Sequence, residues 1–404
     1  MTVTITPSRA SGSVTAPPSK SMAHRLLIAA GLANGGSVID SLAPSEDILA
    51  TLDCLRALGA VCDYQGTSAT VRGIGGKVTA GAPHLPCREC GSTLRFFIPI
   101  AAISREITVF TGSERLLARP LTVYEEIFRQ QGLPFCLEKH ALTIGGKLKS
   151  GDYTVLGNVS SQFISGLLFA LPLLNGDSTV TILPPIESRS YLDLTVQALS
   201  DFGVRVTWKN QTTLSIPGNQ PYTARRITVE GDYSNAAFFD ALATLGDPVS
   251  VVGLREDSLQ GDRIYRRYFQ KLNEGMPTLS LADCPDLGPI LMALAAMLNG
   301  AVFTETARLA IKESDRGSAM AEELAKCGIR CTVDADRITV HPGKPTAPTV
   351  PLSGHNDHRI VMALSILLTR IGGTITGAEA VNKSMPDFFS RIAALGITLT
   401  SSPS

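Results

Sequence analysis

Lys20, Ser21 and Arg25 lie in TAPPSKSMAHRLLIAAGLANGG, residues 15–36, at the mouth of an apolar run shaped like a helix. A lysine, a hydroxyl and an arginine within about a turn of a helix start are anion-binding chemistry. The first N–H groups of a helix are unpaired and carry partial positive charge, and arginine adds a planar, two-pronged donor for phosphate or carboxylate. Similar residues open other apolar runs: Arg95 in GSTLRFFIPIAAI, Ser160, Ser161 and Gln162 in SSQFISGLLFALPLLNG, Asp286 in DLGPILMALAAMLNG, and His358 and Arg359 in NDHRIVMALSILLTRIGG. Arg119, Ser188, Tyr191, Lys312, Glu313, Arg316 and Lys383 lie in the segments between. Singly, each cation reads as a solvated charge, and Ser19, Asp232 or Asp286 as a plain N-cap. Their recurrence at equivalent places points to one strongly positive pocket.

The elements that must position them form a repeat. The apolar runs start at Ser19, Gly91, Ser160, Asp232, Asp286 and Asn356, at intervals of 72, 69, 72, 54 and 70 residues. Each is followed by a short β-prone run (SVID, ITVF, STVTIL, VSVVG, AVFTET, TITGAE) and then by an amphipathic helix such as SEDILATLDCLRALGA or SRSYLDLTVQALSDFG. Apolar residues in the second helices recur at three-to-four spacing, and most of these helices end in a C-capping Gly. A sixfold helix–strand–helix–strand repeat follows, with a short fourth member. The first helices are apolar all round and belong in a core. Two domains of three repeats each are expected, residues 15–228 and residues 1–14 with 229–404, with TVTIT near the N-terminus supplying the last repeat's missing strand. A cleft between two such domains is a natural ligand site.

Composition narrows the function. The chain has 404 residues, 44% hydrophobic and 18% charged, with 36 Lys+Arg against 36 Asp+Glu. Zero formal charge argues against a nucleic-acid or membrane-surface binder. MTVTITPSRASGS has no apolar signal core, and no apolar run reaches the ~18 residues of a membrane span. Eight cysteines are too few for a disulfide scaffold, so a cytoplasmic protein is expected.

In order along the chain, PSKSMAHR, GSTLR, LLARP, SSQF, VEGDYSNAAFF, Pro285-Asp286, KESDR, NDHR and KSMPDFF closely resemble the 5-enolpyruvylshikimate-3-phosphate synthase family, from about residue 3 to the end. The resemblance implies an α/β fold of two similar domains, each of three βαβαββ units in an inside-out barrel. It implies transfer of the enolpyruvyl group of phosphoenolpyruvate to the 5-hydroxyl of shikimate 3-phosphate, with release of phosphate. Shikimate 3-phosphate would be held by Lys20, Ser21, Arg25, Ser160, Ser161, Gln162, Ser188, Tyr191, Asp286 and Lys312. Phosphoenolpyruvate would be held by Lys20, Gly91, Arg119, Gln162, Arg316, Arg359 and Lys383. Asp286 matches the base that takes the hydroxyl proton, and Glu313 or Lys20 the acid that protonates the vinyl carbon. Two polyanions explain the cations: at 4 Å one like-charge pair costs about 4 kcal/mol at an effective dielectric near 20. The reaction needs no metal and no organic cofactor, and a monomer is expected. A glycine at position 91 goes in this family with sensitivity to glyphosate. The chain departs from the family at Glu89-Cys90, where Asn-Ala is common, at Arg308, where many members have asparagine, and in its short fourth unit.

Rival readings are weaker. The UDP-N-acetylglucosamine enolpyruvyl transferases share fold and donor, but they have Lys-Asn in place of Lys20-Ser21 and a cysteine in the loop that here reads TGSERLLARP. A metal or redox module could use Cys87 and Cys90 with Cys327 and Cys331, but the second pair has CxxxC spacing about 240 residues away, which favours ordinary buried thiols. A non-catalytic phosphate-binding relative would not need both Asp286 and Glu313. GIGGKVT, residues 73–79, is no phosphate loop, since Val78 stands where a hydroxyl is required.

Overall fold

Short β-prone runs set between helices form six small mixed sheets in the computed structural model, which describes residues 1–77 and 83–403. Val78 and Thr79 of the GIGGKVT stretch lie outside the described residues. The chain divides into two compact units, residues 18–230 and residues 1–17 with 231–404.

In the unit of residues 18–230, one pattern is repeated three times. The third repeat shows it most simply. Asp152–Leu156 pairs parallel with Ser178–Leu183, which pairs antiparallel with Thr213–Ile216, which pairs antiparallel with Thr207–Trp208. The strand order is therefore first, second, fourth, third. His84–Pro86, Thr108–Thr111, Phe135–Leu137 and Ala141–Ile144 repeat it. In the first repeat the leading strand comes from the far end of the unit: Arg226–Thr228 pairs with Gly36–Asp40. The unit thus closes on itself.

The other unit is completed by the N-terminal segment. Thr278–Ser280, Ala301–Thr304, Cys331–Asp334 and Arg337–Val340 form a full sheet. The last repeat borrows Thr2–Ile5, which lies antiparallel between Gly373–Thr376 and Leu399–Ser402, as TVTIT was expected to do. The short fourth repeat has a two-stranded sheet, Gly12–Thr15 beside Val249–Val252. Its missing final pair of strands accounts for the 54-residue interval. Because Gly12–Thr15 is recruited there, the divisions fall after Pro17 and before Gly231, not at the expected 14/15 and 228/229.

The helices that open each repeat are core elements. Met22 to Leu32 are all buried in Lys20–Leu32, as are Gly288 to Ala296 in Gly288–Met297 and His358 to Thr369 in His358–Ile371. An all-round apolar helix is stable only when enclosed, and each Leu or Ile it buries contributes about 1.5–3 kcal/mol. The second helices, such as Arg189–Asp201 and Tyr265–Glu274, bury one face. Helix Gly91–Ala101 packs against helix Ser161–Ala170 at Gly166, where a Cβ would fall 2.6 Å from the Arg95 carbonyl oxygen. That close approach brings the polar starts of two core helices together.

Candidate active site

In the unit of residues 18–230, caps and buried arginines fix the polar helix starts. Ser19 caps Lys20–Leu32 by accepting from the Met22 N–H. Lys20 then points to Asp47, in the first turn of Glu46–Ala57, with Nζ 2.7 Å from Oδ2. Arg25 is buried. Its Nε donates to Thr195 Oγ1 at 2.8 Å, and its Nη atoms to the carbonyls of Ser21 at 2.7 Å and Tyr191 at 2.9 Å. Burial pushes its pKa down to about 10, so it remains charged at neutral pH. Ser21 and Tyr191 are thus gathered around one guanidinium. Ser188 starts Arg189–Asp201 at φ 55° and is buried.

Arg95 donates to Gln162 Oε1 at 2.7 Å, and Gln162 Nε2 donates to Ser92 Oγ at 2.8 Å. Ser160 caps Ser161–Ala170 by accepting from the Gln162 N–H at 3.3 Å, and Ser161 is buried beside it. Gly91 lies against Arg119: a Cβ on Gly91 would fall 2.5 Å from Arg119 Nη1 and 3.0 Å from its Cζ. These two predicted donor-site residues are therefore neighbours. Glu89 is exposed, while Cys90 is buried as the N-cap of Gly91–Ala101.

The other unit gathers its predicted residues around a buried guanidinium. Arg316, at the start of Arg316–Lys326, is 1% exposed. Its Nε donates to Asp357 Oδ2 at 2.8 Å, Nη1 to Asp286 Oδ1 at 2.8 Å and Nη2 to Glu313 Oε2 at 2.7 Å. Burial alone would lower the Arg316 pKa, but Asp357, Glu313 and Asp286 together raise it above the ordinary arginine value. Asp286 also accepts from Lys312 Nζ at 3.2 Å and Arg359 Nη2 at 3.1 Å, so three cations converge on one carboxylate. Burial lowers the Lys312 pKa, and neighbouring Arg316 adds to the effect against Asp286. Lys383 Nζ donates to the Asn356 carbonyl at 2.7 Å, in the turn that leads into Asp357.

Several functional neighbours do not stand out in the sequence. Asp357 is fully buried. Burial pushes its carboxyl up, Arg316 and His358 pull it down, and the net shift is downward. It also caps His358–Ile371 through the Arg359 N–H at 2.9 Å, and a capping Asp before an apolar run is a signal the sequence carries. Ser234 receives Arg359 Nη2 at 3.0 Å. Asp47 and Thr195 have no comparable local signal. Cys87 and Cys90 belong to one unit and Cys327 and Cys331 to the other. His355 pairs through Nε2 with Glu323 Oε1 at 2.6 Å, and Lys326 pairs with the same carboxylate. Arg308, at the family's asparagine position, is buried and donates to the Ala282 carbonyl at 2.6 Å.

Comparison with known proteins identifies the family. Residues 5–392 match the family model described as EPSP synthase (3-phosphoshikimate 1-carboxyvinyltransferase). A Clostridium kluyveri protein named 3-phosphoshikimate 1-carboxyvinyltransferase is 41% identical over 415 residues, covering 98% of this chain and 97% of that protein. One of the same name from Clostridioides difficile is 38% identical over 422 residues, covering 97% of each. The fold is shared with an Acinetobacter baumannii EPSP synthase structure, at TM-score 0.78 and 24% identity over 99% of this chain and all of that one. It is shared too with the enolpyruvyl transferase NikO from Streptomyces tendae, at TM-score 0.78 and 16% identity over all of this chain and 99% of that one. From its ordered motifs, its six repeats and a family match over nearly its whole length, the chain belongs to the EPSP synthase family.

Proposed function

We propose that the two residue sets described above carry out the family's reaction, transfer of the enolpyruvyl group of phosphoenolpyruvate to the 5-hydroxyl of shikimate 3-phosphate with release of phosphate. Asp286 accepts the proton of the 5-hydroxyl as its oxygen bonds to C2 of phosphoenolpyruvate. Glu313 or Lys20 delivers a proton to C3, giving a tetrahedral ketal phosphate. Loss of a C3 proton and departure of phosphate then regenerate the double bond. Atoms and charge balance without a metal or an organic cofactor.

The observation that carries this reading is the convergence of Lys312, Arg316 and Arg359 on Asp286, with Glu313 on the same arginine. Three cations reach Asp286, the candidate base, and one of them, Arg316, also reaches Glu313, a candidate acid; general acids and bases typically contribute 10²–10⁴ in rate. Arg316, Arg359 and Lys383 are assigned to the donor with Lys20, Gly91, Arg119 and Gln162. Lys20, Ser21, Arg25, Ser160, Ser161, Gln162, Ser188, Tyr191, Asp286 and Lys312 are assigned to the acceptor. The two assignments draw on residues of both units. It has the chain act as a cytoplasmic monomer. Among the described residues, no helix is long and apolar enough to cross a membrane.

Phosphate release from phosphoenolpyruvate, measured with shikimate 3-phosphate and in parallel with UDP-N-acetylglucosamine, tests the reading. Release with the first acceptor alone is expected. Release with neither, or only with the second, would overturn it.

A further inference from the structure

Next to Lys20, three side chains with metal-ligand chemistry meet, none of them assigned to a substrate. His24 comes from Lys20–Leu32, Asp47 from Glu46–Ala57, and Cys90 caps Gly91–Ala101. All three are buried, and one ligand atom of each lies within 4.8 Å of the others. His24 Nε2 is 3.9 Å from Cys90 Sγ. In a tetrahedral zinc site, bonds of about 2.3 Å to sulfur and 2.05 Å to nitrogen put those two atoms about 3.6 Å apart. The pair thus already stands close to ligating distance.

The surroundings support ligation. His24 Nδ1 is 2.7 Å from Thr51 Oγ1, which is 2.8 Å from Thr93 Oγ1. Such a chain fixes the ring orientation and, with the proton on Nδ1, leaves the Nε2 lone pair directed at Cys90. Burial and the Asp47 carboxylate push the Cys90 thiol up, so an incoming ion must displace its proton; the Thr93 N–H, donating to Sγ at 3.4 Å at a helix start, opposes that shift. A thiolate, an imidazole and a carboxylate together select a zinc-like ion over magnesium or calcium. Asp47 is also the partner of Lys20, at 2.7 Å.

We propose that His24, Asp47 and Cys90 form a binding site for a thiophilic divalent cation of the Zn²⁺ class, and that occupation withdraws Asp47 from Lys20. Binding forms the metal–sulfur, metal–nitrogen and metal–oxygen bonds, releases the Cys90 thiol proton to solvent, and leaves Lys20 protonated. Water completes the fourth position. The site is inhibitory: the ion takes the carboxylate that orients a substrate-binding lysine. The metal site stands on its own geometry, and only its inhibitory effect rests on the proposed function.

Co²⁺ added to the full reduced chain, in a Cys136→Ser background that removes the exposed thiol, reads the site directly. One equivalent is expected to give a thiolate-to-cobalt charge-transfer band and the intense visible bands of a four-coordinate ion, both bleached by Zn²⁺. Cys90→Ala and, independently, His24→Gln are expected to abolish these bands in protein that retains its thermal transition. Absence of the bands in the folded parent, or their survival in either variant, would overturn the site. Zn²⁺ is further expected to inhibit phosphate release, with Cys90→Ala at least tenfold less sensitive. Bands without inhibition would leave the metal site standing and refute its hold on Lys20.

Discussion

Replacing Gly91 by alanine probes the donor half of the site with one methyl group. The new Cβ would fall 2.5 Å from Arg119 Nη1, 3.0 Å from Cζ and 3.2 Å from Nη2. Relaxed carbon–nitrogen contacts lie near 3.5 Å, so the guanidinium has to retreat by about 1 Å. It is the far end of a flexible side chain, so it can do so at small cost to folding. Arg119 is therefore the first group the methyl meets. A misplacement of about 1 Å in a substrate-positioning group can cost 10²-fold in rate. We therefore expect Gly91→Ala to raise the KM for phosphoenolpyruvate between tenfold and a hundredfold. Glyphosate should weaken by a comparable factor, because both anions lose the same guanidinium. The dissociation constant of shikimate 3-phosphate and the melting temperature should change little. Steady-state kinetics, inhibition constants and a thermal melt measure all four. The decisive control is a cycle with Arg119→Ala: in that background the added methyl should have no further effect, since coupled neighbours are non-additive. A KM within twofold of wild type, or a full additional loss in the Arg119→Ala background, would refute the reasoning.

Asp286→Asn is expected to lower kcat by 10²–10⁴ while leaving the calorimetrically measured affinity for shikimate 3-phosphate within tenfold; turnover within tenfold of wild type would remove Asp286 as the base. Arg316→Met should cost about 3–5 kcal/mol in urea unfolding, because it leaves Asp357 buried without its guanidinium beside Asp286 and Glu313. The lowered Asp357 carboxyl contributes stability that is fully present above its unfolded pKa and is lost as pH falls through the folded value, so the urea midpoint should decline below about pH 4 and decline less steeply in Asp357→Asn. Burial lowers the Lys312 amine, so affinity for shikimate 3-phosphate should begin to fall at a pH below the ordinary lysine range, and Lys312→Arg should move that limb upward.

The repeat architecture was legible in the sequence because its signals are local. An apolar run with a polar start and a glycine stop specifies a buried, capped helix wherever it occurs, and near-constant spacing shows that the same unit recurs. The 54-residue interval exposed the truncated repeat, and the last repeat's missing strand pointed to TVTIT. The anion-binding character was legible too, since helix starts and arginines have that chemistry before they meet. Which residues meet was not. Lys20 and Asp47 are 27 positions apart, Gly91 and Arg119 28, and Arg316 and Asp357 41. Packing of core helices sets those pairings, and no residue-level period records it. Tertiary structure likewise decided that Gly12–Thr15 leaves its sequence neighbours to pair with Val249–Val252, because a bare strand needs a ladder partner and the fourth repeat has no other. The departure at Cys90 became interpretable only once folding had set its sulfur beside His24, 66 positions away, where burial makes the chemistry of each depend on the other.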